Sequence, residues 1–237
     1  MLLAAHGTRS TAGQARIRAL AAAVARRHRS PVRLAYLDVQ HPTLAEAVAA
    51  LPEPSVVVPL LLSPGYHCSI DIPRTLAGTR HVVAPPLGPD PVLVECLDAG
   101  IAAAGPADAV ILAAADSSDP RSRSAVRSVA GALRHPHVHP AFIALDAAAV
   151  PHEVDRLRKL GAHRVTVAAY LLAEGRFHRG LAGSGATAVT RPLAACPAVV
   201  DLVLRRHAAV TLGMARGGHE GANWEAWTPT TSVPAGR

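Results

Sequence analysis

The sequence predicts an α/β protein that is built from two similar halves. Short apolar segments of strand length alternate with longer amphipathic segments, which is typical of parallel sheets flanked by helices. One set of motifs also occurs twice in the same order, and two of its pairs are offset by 110 positions. The first motif of the set is LLAAH at 2–6 in the first copy and LAAAD at 112–116 in the second. A chain of 237 residues is long enough for two units of roughly 100–120 residues.

Three further pairs of blocks extend the repeat. VVVPLLLSPG at 56–65 returns as TVAAYLLAEG at 166–175. AYLDVQHPTLAEAV and APPLGPDPVLVECL of the first half are echoed by AFIALDAAAVPHEV and TRPLAACPAVVDLV of the second. An alanine-rich chain produces one such match by chance, but hardly four in register. We therefore predict halves at 1–104 and 107–212, and a disordered tail at 213–237, where Gly, Pro, Thr and Asn replace the pattern.

Strands and helices follow from the pattern inside each half. Helical spacing of apolar residues predicts helices over Ala12–Arg27, Thr43–Ala50 and Pro91–Ala104. Gly and Pro bound the short apolar runs. The predicted strands are Met1–Ala5, Arg33–Leu37, Ser55–Leu61 and His81–Ala84, then Ala109–Ala113, Val138–Ile143, Arg164–Tyr170 and Ala188–Arg191.

Composition narrows the classes of partner. The net charge is +7 and only 3% of residues are aromatic. The basic balance favours an acidic partner, yet no basic run with interleaved aromatics occurs, so we expect no nucleic-acid binding. The start of the chain lacks the features of a signal peptide, and no apolar run is long enough for a membrane span. We expect no membrane partner and a cytoplasmic location.

The cysteines carry little information by spacing. Cys68, Cys96 and Cys196 are far apart, odd in number and outside any CxxC pattern. The spacing supports neither a zinc site nor a disulfide framework, and it favours a reducing compartment.

Polar residues follow three predicted strands of the first half. His6 follows the first strand, Asp38 the second, and His67 a glycine turn after the third. Ligands bind at the carboxyl ends of parallel strands. Two imidazoles from adjacent strand ends form an incomplete metal site, whose open positions suit a metal that is passed on. Asp38 is a candidate third ligand, orienting group or proton acceptor, although a lone histidine after a strand is more often a surface residue.

The same blocks identify a family. LLAAHGTRS, AYLDVQHPTLAEAV and VVVPLLLSPGYHCSIDIPR resemble the sirohydrochlorin chelatases of the CbiX/SirB type. The resemblance spans roughly residues 1–207, with the characteristic motifs in the first half. It implies two tandem chelatase-like domains that enclose a tetrapyrrole. It also implies that a divalent metal is the second substrate, Co²⁺ or Fe²⁺ and possibly Ni²⁺, with no organic cofactor, and that the chain acts as a monomer.

The resemblance assigns roles residue by residue. The metal-binding histidines correspond to His6 and His67, and the acidic residue after the second strand corresponds to Asp38, where many members have Glu. The second half lacks this pair, because Asp116 and Phe177 stand at the equivalent positions. We therefore expect one insertion site, with catalysis by His6, His67 and Asp38. The expected substrate-binding residues, which face carboxylates of the ring, are Arg9, Ser10, Arg74, Ser117, Ser118, Arg176 and His178.

Three alternatives remain open from the sequence. The metal and the pathway, siroheme or cobalamin, are not determined by ligand type. A non-catalytic tetrapyrrole or metal carrier with the same fold is the second reading. A binding protein of the periplasmic type, which also has two α/β halves, is the third and the least favoured.

Overall fold

The computed structural model describes residues 1–51, 54–115, 119–144 and 146–215. In these ranges the chain forms two parallel four-stranded sheets with the strand orders β2-β1-β3-β4 and β6-β5-β7-β8. The strands are β1 Leu2–Ala5, β2 Arg33–Tyr36, β3 Val56–Pro59, β4 Val82–Val83, β5 Ala109–Ala114, β6 Val138–Phe142, β7 Val165–Tyr170 and β8 Ala188–Val189. The predicted strands and the α/β class are confirmed.

Helices connect the parallel strands and cover both sheets. They are α1 Thr11–Arg27, α2 Leu44–Ala49, α3 Ile72–Leu76, α4 Pro91–Ala103, α5 Pro120–Ala132, α6 Ala149–Lys159, α7 Arg176–Ala182 and α8 Ala198–Ala215. A polar cap starts several of them: the Ser10 side chain accepts from Gly13 N, and Thr43 forms a capping box with Glu46. None of the described helices has the length and apolar character needed to cross a bilayer.

The two halves share one hydrophobic core. Helix α4 of the first half packs on β7 of the second, and α8 of the second packs on β3 of the first. Leu97 of α4 and Leu202 of α8 belong to one continuous buried cluster that reaches both sheets. Each half forms its own parallel sheet, as the sequence predicted, and the structure adds that α4 and α8 each pack on the sheet of the other half. An apolar stripe shows that a helix is buried, but it does not show which sheet receives it.

A buried ion pair reinforces the exchange. Arg206 of α8 contacts the carboxylate of Asp90, the cap of α4, at 3.0 Å, and also donates to the carbonyl oxygens of Pro86 and Leu87. Burial lowers the pKa of Arg206, while the charge of Asp90 opposes that effect. The segment that leads into α4 is therefore held by α8.

The cysteine expectation is wrong for one pair. Cys96 of α4 and Cys196, just before α8, form a disulfide with their Cα atoms 6.0 Å apart. Their separation of 100 residues falls outside any local spacing rule. The exchange of α4 and α8 is what brings them together.

The boundaries of the halves stay a prediction. The division at 1–104 and 107–212 describes the sequence repeat, whereas the core is continuous across it. The predicted tail is corrected at its start, because α8 extends to Ala215. The remainder of that tail, 216–237, lies outside the described residues.

Truncating the buried face of α8 is expected to destabilise the whole molecule. Leu202 is fully buried and Leu212 of the same helix is 61% exposed. We expect Leu202→Ala to lower the free energy of unfolding by about 2–5 kcal/mol, because it leaves a cavity in the shared core. Leu212→Ala is the matched control and is expected to change it by less than about 0.5 kcal/mol. Equal midpoints in urea for the two variants would contradict the role of α8 in the core.

Candidate functional site

A cavity of about 600 Å³ opens between the two halves, and we call it the central cleft. It lies at the carboxyl ends of β1, β3, β5 and β7, where parallel sheets place their ligands. Both halves contribute to its walls: His6 and His67 from the first, and Ser122, Tyr170 and Phe177 from the second. The cleft is thus the place where the predicted site residues can meet a ligand.

His6 stands on a tight turn directly after β1. Gly7 has φ +99°, and a Cβ there would lie 2.0 Å from the carbonyl oxygen of Asp38. Only glycine fits this conformation and this approach. The carbonyl oxygen of His6 accepts from Asp38 N at 2.9 Å. The end of β1 is therefore fixed against the end of β2, and the exposed His6 side chain projects from a rigid base.

Glutamine side chains hold the continuation of this turn. Gln40 accepts from Thr8 N at 2.8 Å, and Gln14 donates to Thr8 O at 2.9 Å. Ser10 is buried and its hydroxyl caps α1, so this hydroxyl already has a structural partner. The neighbouring Arg9 is exposed. Of these two predicted substrate-binding residues, Arg9 has the freedom to reach a ligand.

His67 opens a wide helical turn of the π type, His67–Asp71, that runs directly into α3. The amide of Ile72 donates to the carbonyl oxygen of His67 and closes this turn. Wide turns of this kind occur frequently at functional sites. The ring of His67 lies 4.7 Å from that of His6, centroid to centroid, at an interplanar angle of 74°. The structure therefore brings the two predicted metal ligands together.

Asp71 is a site residue that the sequence analysis missed. Its Oδ2 lies 2.5 Å from Nδ1 of His67. A carboxylate only accepts hydrogen bonds, so Nδ1 carries the proton in this contact, and in the neutral imidazole the lone pair on Nε2 is left for a metal. The spacing of four residues, which places side chains on neighbouring turns of a helix, is the sequence signal that could have revealed this pair.

Asp38 does not complete a metal site with the two histidines. Within the part of the chain that the structure describes, no three His, Cys, Asp or Glu side chains are grouped closely enough to hold a metal. The Asp38 carboxylate instead accepts from Val39 N at 2.8 Å. This corrects the expectation of Asp38 as a third ligand. Its role as a proton acceptor stays a prediction.

Cys68 directly follows His67, but its thiol does not ionise readily. The side chain is buried, and burial raises the pKa of its thiol to about 12. A thiol with this pKa does not supply a thiolate ligand near neutral pH. The imidazoles of His6 and His67 therefore remain the candidate metal ligands of the cleft.

The second half presents a different set of groups. Phe177 occupies the place equivalent to His67 in the cleft, and the guanidinium of Arg176 lies 5.0 Å from its ring centroid. His178 points elsewhere, because its Nε2 contacts the carbonyl oxygen of Thr190 at 3.1 Å. Ser117 and Ser118, together with Asp116, lie outside the described residues. Arg74 is exposed on α3, the helix that continues the His67 turn.

Removing the Asp71 carboxylate is expected to weaken metal binding without removing a ligand. Asp71→Asn leaves a neutral amide that no longer selects one tautomer of His67, and loss of such a partner typically costs 10–100-fold in metal affinity. We expect a rise of about that size in the metal concentration for half-maximal binding, measured by titration with Co²⁺. The matched control is Glu153→Gln on the far helix α6, which removes a carboxylate 3.3 Å from Nδ1 of His139 in β6. An unchanged Co²⁺ affinity in Asp71→Asn would exclude the positioning role.

Comparison with known proteins gives the fold a family. Two solved structures of SirB from Bacillus subtilis are similar to this chain, each with 23% identity and a TM-score of 0.72: the sirohydrochlorin chelatase of subspecies spizizenii in complex with cobalt, and SirB with Fe³⁺. The alignments cover 92% and 93% of this chain, and 97% and 98% of those chains. A multi-domain protein from Deinococcus radiodurans with structural similarity to chelatases matches with a TM-score of 0.65 and 22% identity, over 87% of this chain and 54% of its own. These similarities show a chelatase-like fold.

The sequence itself gives the second comparison. Among curated protein sequences, none matches the chain significantly. The model of the CbiX family matches twice, over residues 1–104 and 109–210, in the same two stretches that the internal repeat occupies. Together with the paired histidines of the central cleft, this double match shows that the chain belongs to the CbiX family.

Proposed function

We propose that this protein inserts a divalent metal into sirohydrochlorin, or a closely related polycarboxylate tetrapyrrole, within the central cleft. The observation that carries the proposal is the contact between His6 and His67, 4.7 Å apart, at the wall of a cleft between two chelatase-like halves. Two imidazole ligands hold a metal while several coordination positions stay open. A metal held in this way can pass to the nitrogen atoms of a ring.

The two sides of the cleft have different roles in the proposed reaction. His6 and His67 deliver the metal from the first half, and Asp71 keeps the Nε2 lone pair of His67 directed at it. The second half contributes mostly apolar wall, including Leu171, Leu172 and Phe177. Such a wall suits the flat apolar face of a macrocycle. Enclosing the ring between the two walls orients its nitrogen atoms toward the histidines.

Insertion also releases two protons from the pyrrole nitrogen atoms. The imidazole that gives up the metal regains its lone pair and becomes a proton acceptor. Asp38, at the adjacent strand end, is the proposed second acceptor. The exposed guanidinium groups of Arg9, Arg74 and Arg176 are the proposed partners of the ring carboxylates.

The metal is proposed to be Co²⁺ or Fe²⁺, with Ni²⁺ as a further candidate, and no organic cofactor is needed. The support is the imidazole ligand set, which suits all three ions. One relative in the comparison binds cobalt and another was solved with Fe³⁺. We further propose that the chain works as a monomer, since one chain supplies both walls of the cleft. The proposed location is the cytoplasm, where a Cys96–Cys196 disulfide would be an exception to the usual distribution of disulfides.

Anaerobic absorbance spectroscopy tests the proposal. Purified protein is mixed with sirohydrochlorin and, in separate experiments, with Co²⁺, Fe²⁺ or Ni²⁺. We expect spectral conversion that is faster than the enzyme-free rate and continues through many turnovers. Tight ring binding without faster insertion would instead identify a non-catalytic tetrapyrrole carrier. The absence of both ring binding and metal insertion would refute the proposed function.

A further inference from the structure

Helix α5 of the second half contacts the segment that carries His67. Ser122 Oγ lies 2.9 Å from Ser63 Oγ, and both serines line the central cleft. One residue earlier, Arg121 donates from Nη2 to Ser69 Oγ at 2.7 Å. Two consecutive residues of α5 therefore touch the chain on either side of His67, at the margin of the cleft.

The guanidinium of Arg121 is held in a defined orientation. Its Nε lies 3.1 Å from both carboxylate oxygens of Asp119, and Nη2 lies 2.8 Å from Oδ2. Asp119 is itself fixed, because it caps α5 by accepting from Arg121 N at 2.9 Å. The hydrogen bonds from Arg121 hold the pKa of Asp119 below its usual range. The Arg121 side chain nevertheless stays 50% exposed, and the next residue, Ser122, lines the cleft.

The other arginines of the same helix are arranged differently. The guanidinium groups of Arg123 and Arg127 lie 5.4 and 5.9 Å from the ring centroid of Phe142. They stack on that aromatic ring rather than on the His67 segment. Their positive charge adds to the field on this side of the cleft. Among the three, Arg121 is the residue whose contact reaches the segment beside the metal ligands.

A polycarboxylate ring needs cations at the margin of a cleft whose lining is largely apolar. Ser69 is a neutral acceptor, and a carboxylate binds a guanidinium about twice as strongly as a neutral group does. We propose that Arg121 is a carboxylate-binding residue of the ring site, and that a peripheral carboxylate of the macrocycle replaces Ser69 on its Nη2. This inference rests on the proposed function and adds a binding residue from the second half.

The exchange has a consequence for the metal site. Ser69 lies in the His67–Asp71 turn, two residues after the metal ligand. When a carboxylate takes its place on Arg121, the turn loses one of its contacts to the second half. Ring binding is thereby linked to the freedom of the turn that presents the metal.

Binding of metal-free sirohydrochlorin, followed by fluorescence titration at fixed ionic strength, tests the inference. We expect Arg121→Gln to raise the Kd at least about tenfold, because it removes a charge-assisted pair. Arg121→Lys is expected to lie between wild type and Arg121→Gln, since it keeps the charge but not the fork of donors. Ser69→Ala is the decisive control: it breaks the contact between the halves but leaves the guanidinium, so we expect wild-type or slightly tighter binding.

The outcomes separate the two proposals. If Ser69→Ala weakens ring binding as much as Arg121→Gln does, the contact only holds the halves together and the inference is wrong. If wild type and Arg121→Gln bind the ring equally, the inference is also wrong, while the proposed function stands. If the wild-type protein binds no ring at all, the proposed function fails and the inference with it. Thermal unfolding of each variant checks that the fold is intact.

Discussion

Replacing His67 with alanine is expected to lower the rate of metal insertion at least about 100-fold at limiting metal. The cleft brings together two imidazoles, and no cluster of three side chains that could hold a metal occurs among the described residues. A single remaining imidazole holds the metal too weakly and too loosely to aim it at the ring. We expect the loss to be seen mainly as a higher KM for the metal, in anaerobic assays with sirohydrochlorin and Co²⁺. His6→Ala is expected to behave in the same way.

The control for this prediction is another histidine. His152 is exposed on α6, a helix of the second half that contributes no residue to the cleft lining. His152→Ala is expected to insert metal at the wild-type rate. Full activity of His67→Ala at limiting metal would remove His67 from the site, and with it the main support for the proposed mechanism.

Substituting Gly13 with alanine is expected to destabilise the protein, because the added methyl group clashes with the other half. Gly13 lies in the first turn of α1, and a Cβ there would lie 2.0 Å from the carbonyl oxygen of Glu174 in the second half. That oxygen belongs to the backbone and has little room to move. Arg16, one turn further along α1, also binds the Glu174 carboxylate at 2.7 Å. We expect a loss of about 3 kcal/mol in the free energy of unfolding, or about 6–12 °C in Tm.

The same substitution elsewhere provides an opposite control. Gly131 lies near the end of α5, and a Cβ there would have nothing within 4 Å. Since alanine is a better helix former than glycine, Gly131→Ala is expected to raise stability by about 0.5–1 kcal/mol. Calorimetry of both variants distinguishes the effect of close approach from that of helix propensity. A Gly13→Ala variant as stable as wild type would show that the contact between α1 and the Glu174 backbone adjusts to the added methyl group, which would contradict the prediction.

The candidate site was only partly readable from the sequence. His6 and His67 follow strands of a parallel sheet, so their meeting at one edge was predictable from strand order and turn residues. Asp71 was missed although its spacing from His67 is that of neighbouring turns. Asp38 was overestimated as a ligand, because its position at a strand end does not reveal that its carboxylate turns to Val39 N. Side-chain direction depends on local backbone geometry, which spacing alone does not describe.

The sequence by itself determined the α/β class, the order of the strands along the chain, the internal repeat and the two histidines. These features follow from the periodicity and the repetition of residues along the chain, which the sequence contains directly. Only the tertiary structure decided that α4 and α8 exchange sheets, that Cys96 meets Cys196, and that Arg121 reaches Ser69. Each of these depends on surfaces that meet across a long stretch of chain: 52 residues for Arg121 and Ser69, 100 for the two cysteines, and 115 for Arg205 of α8 and Asp90. An apolar face or a charged group specifies that it needs a partner, while packing in three dimensions selects which partner it finds.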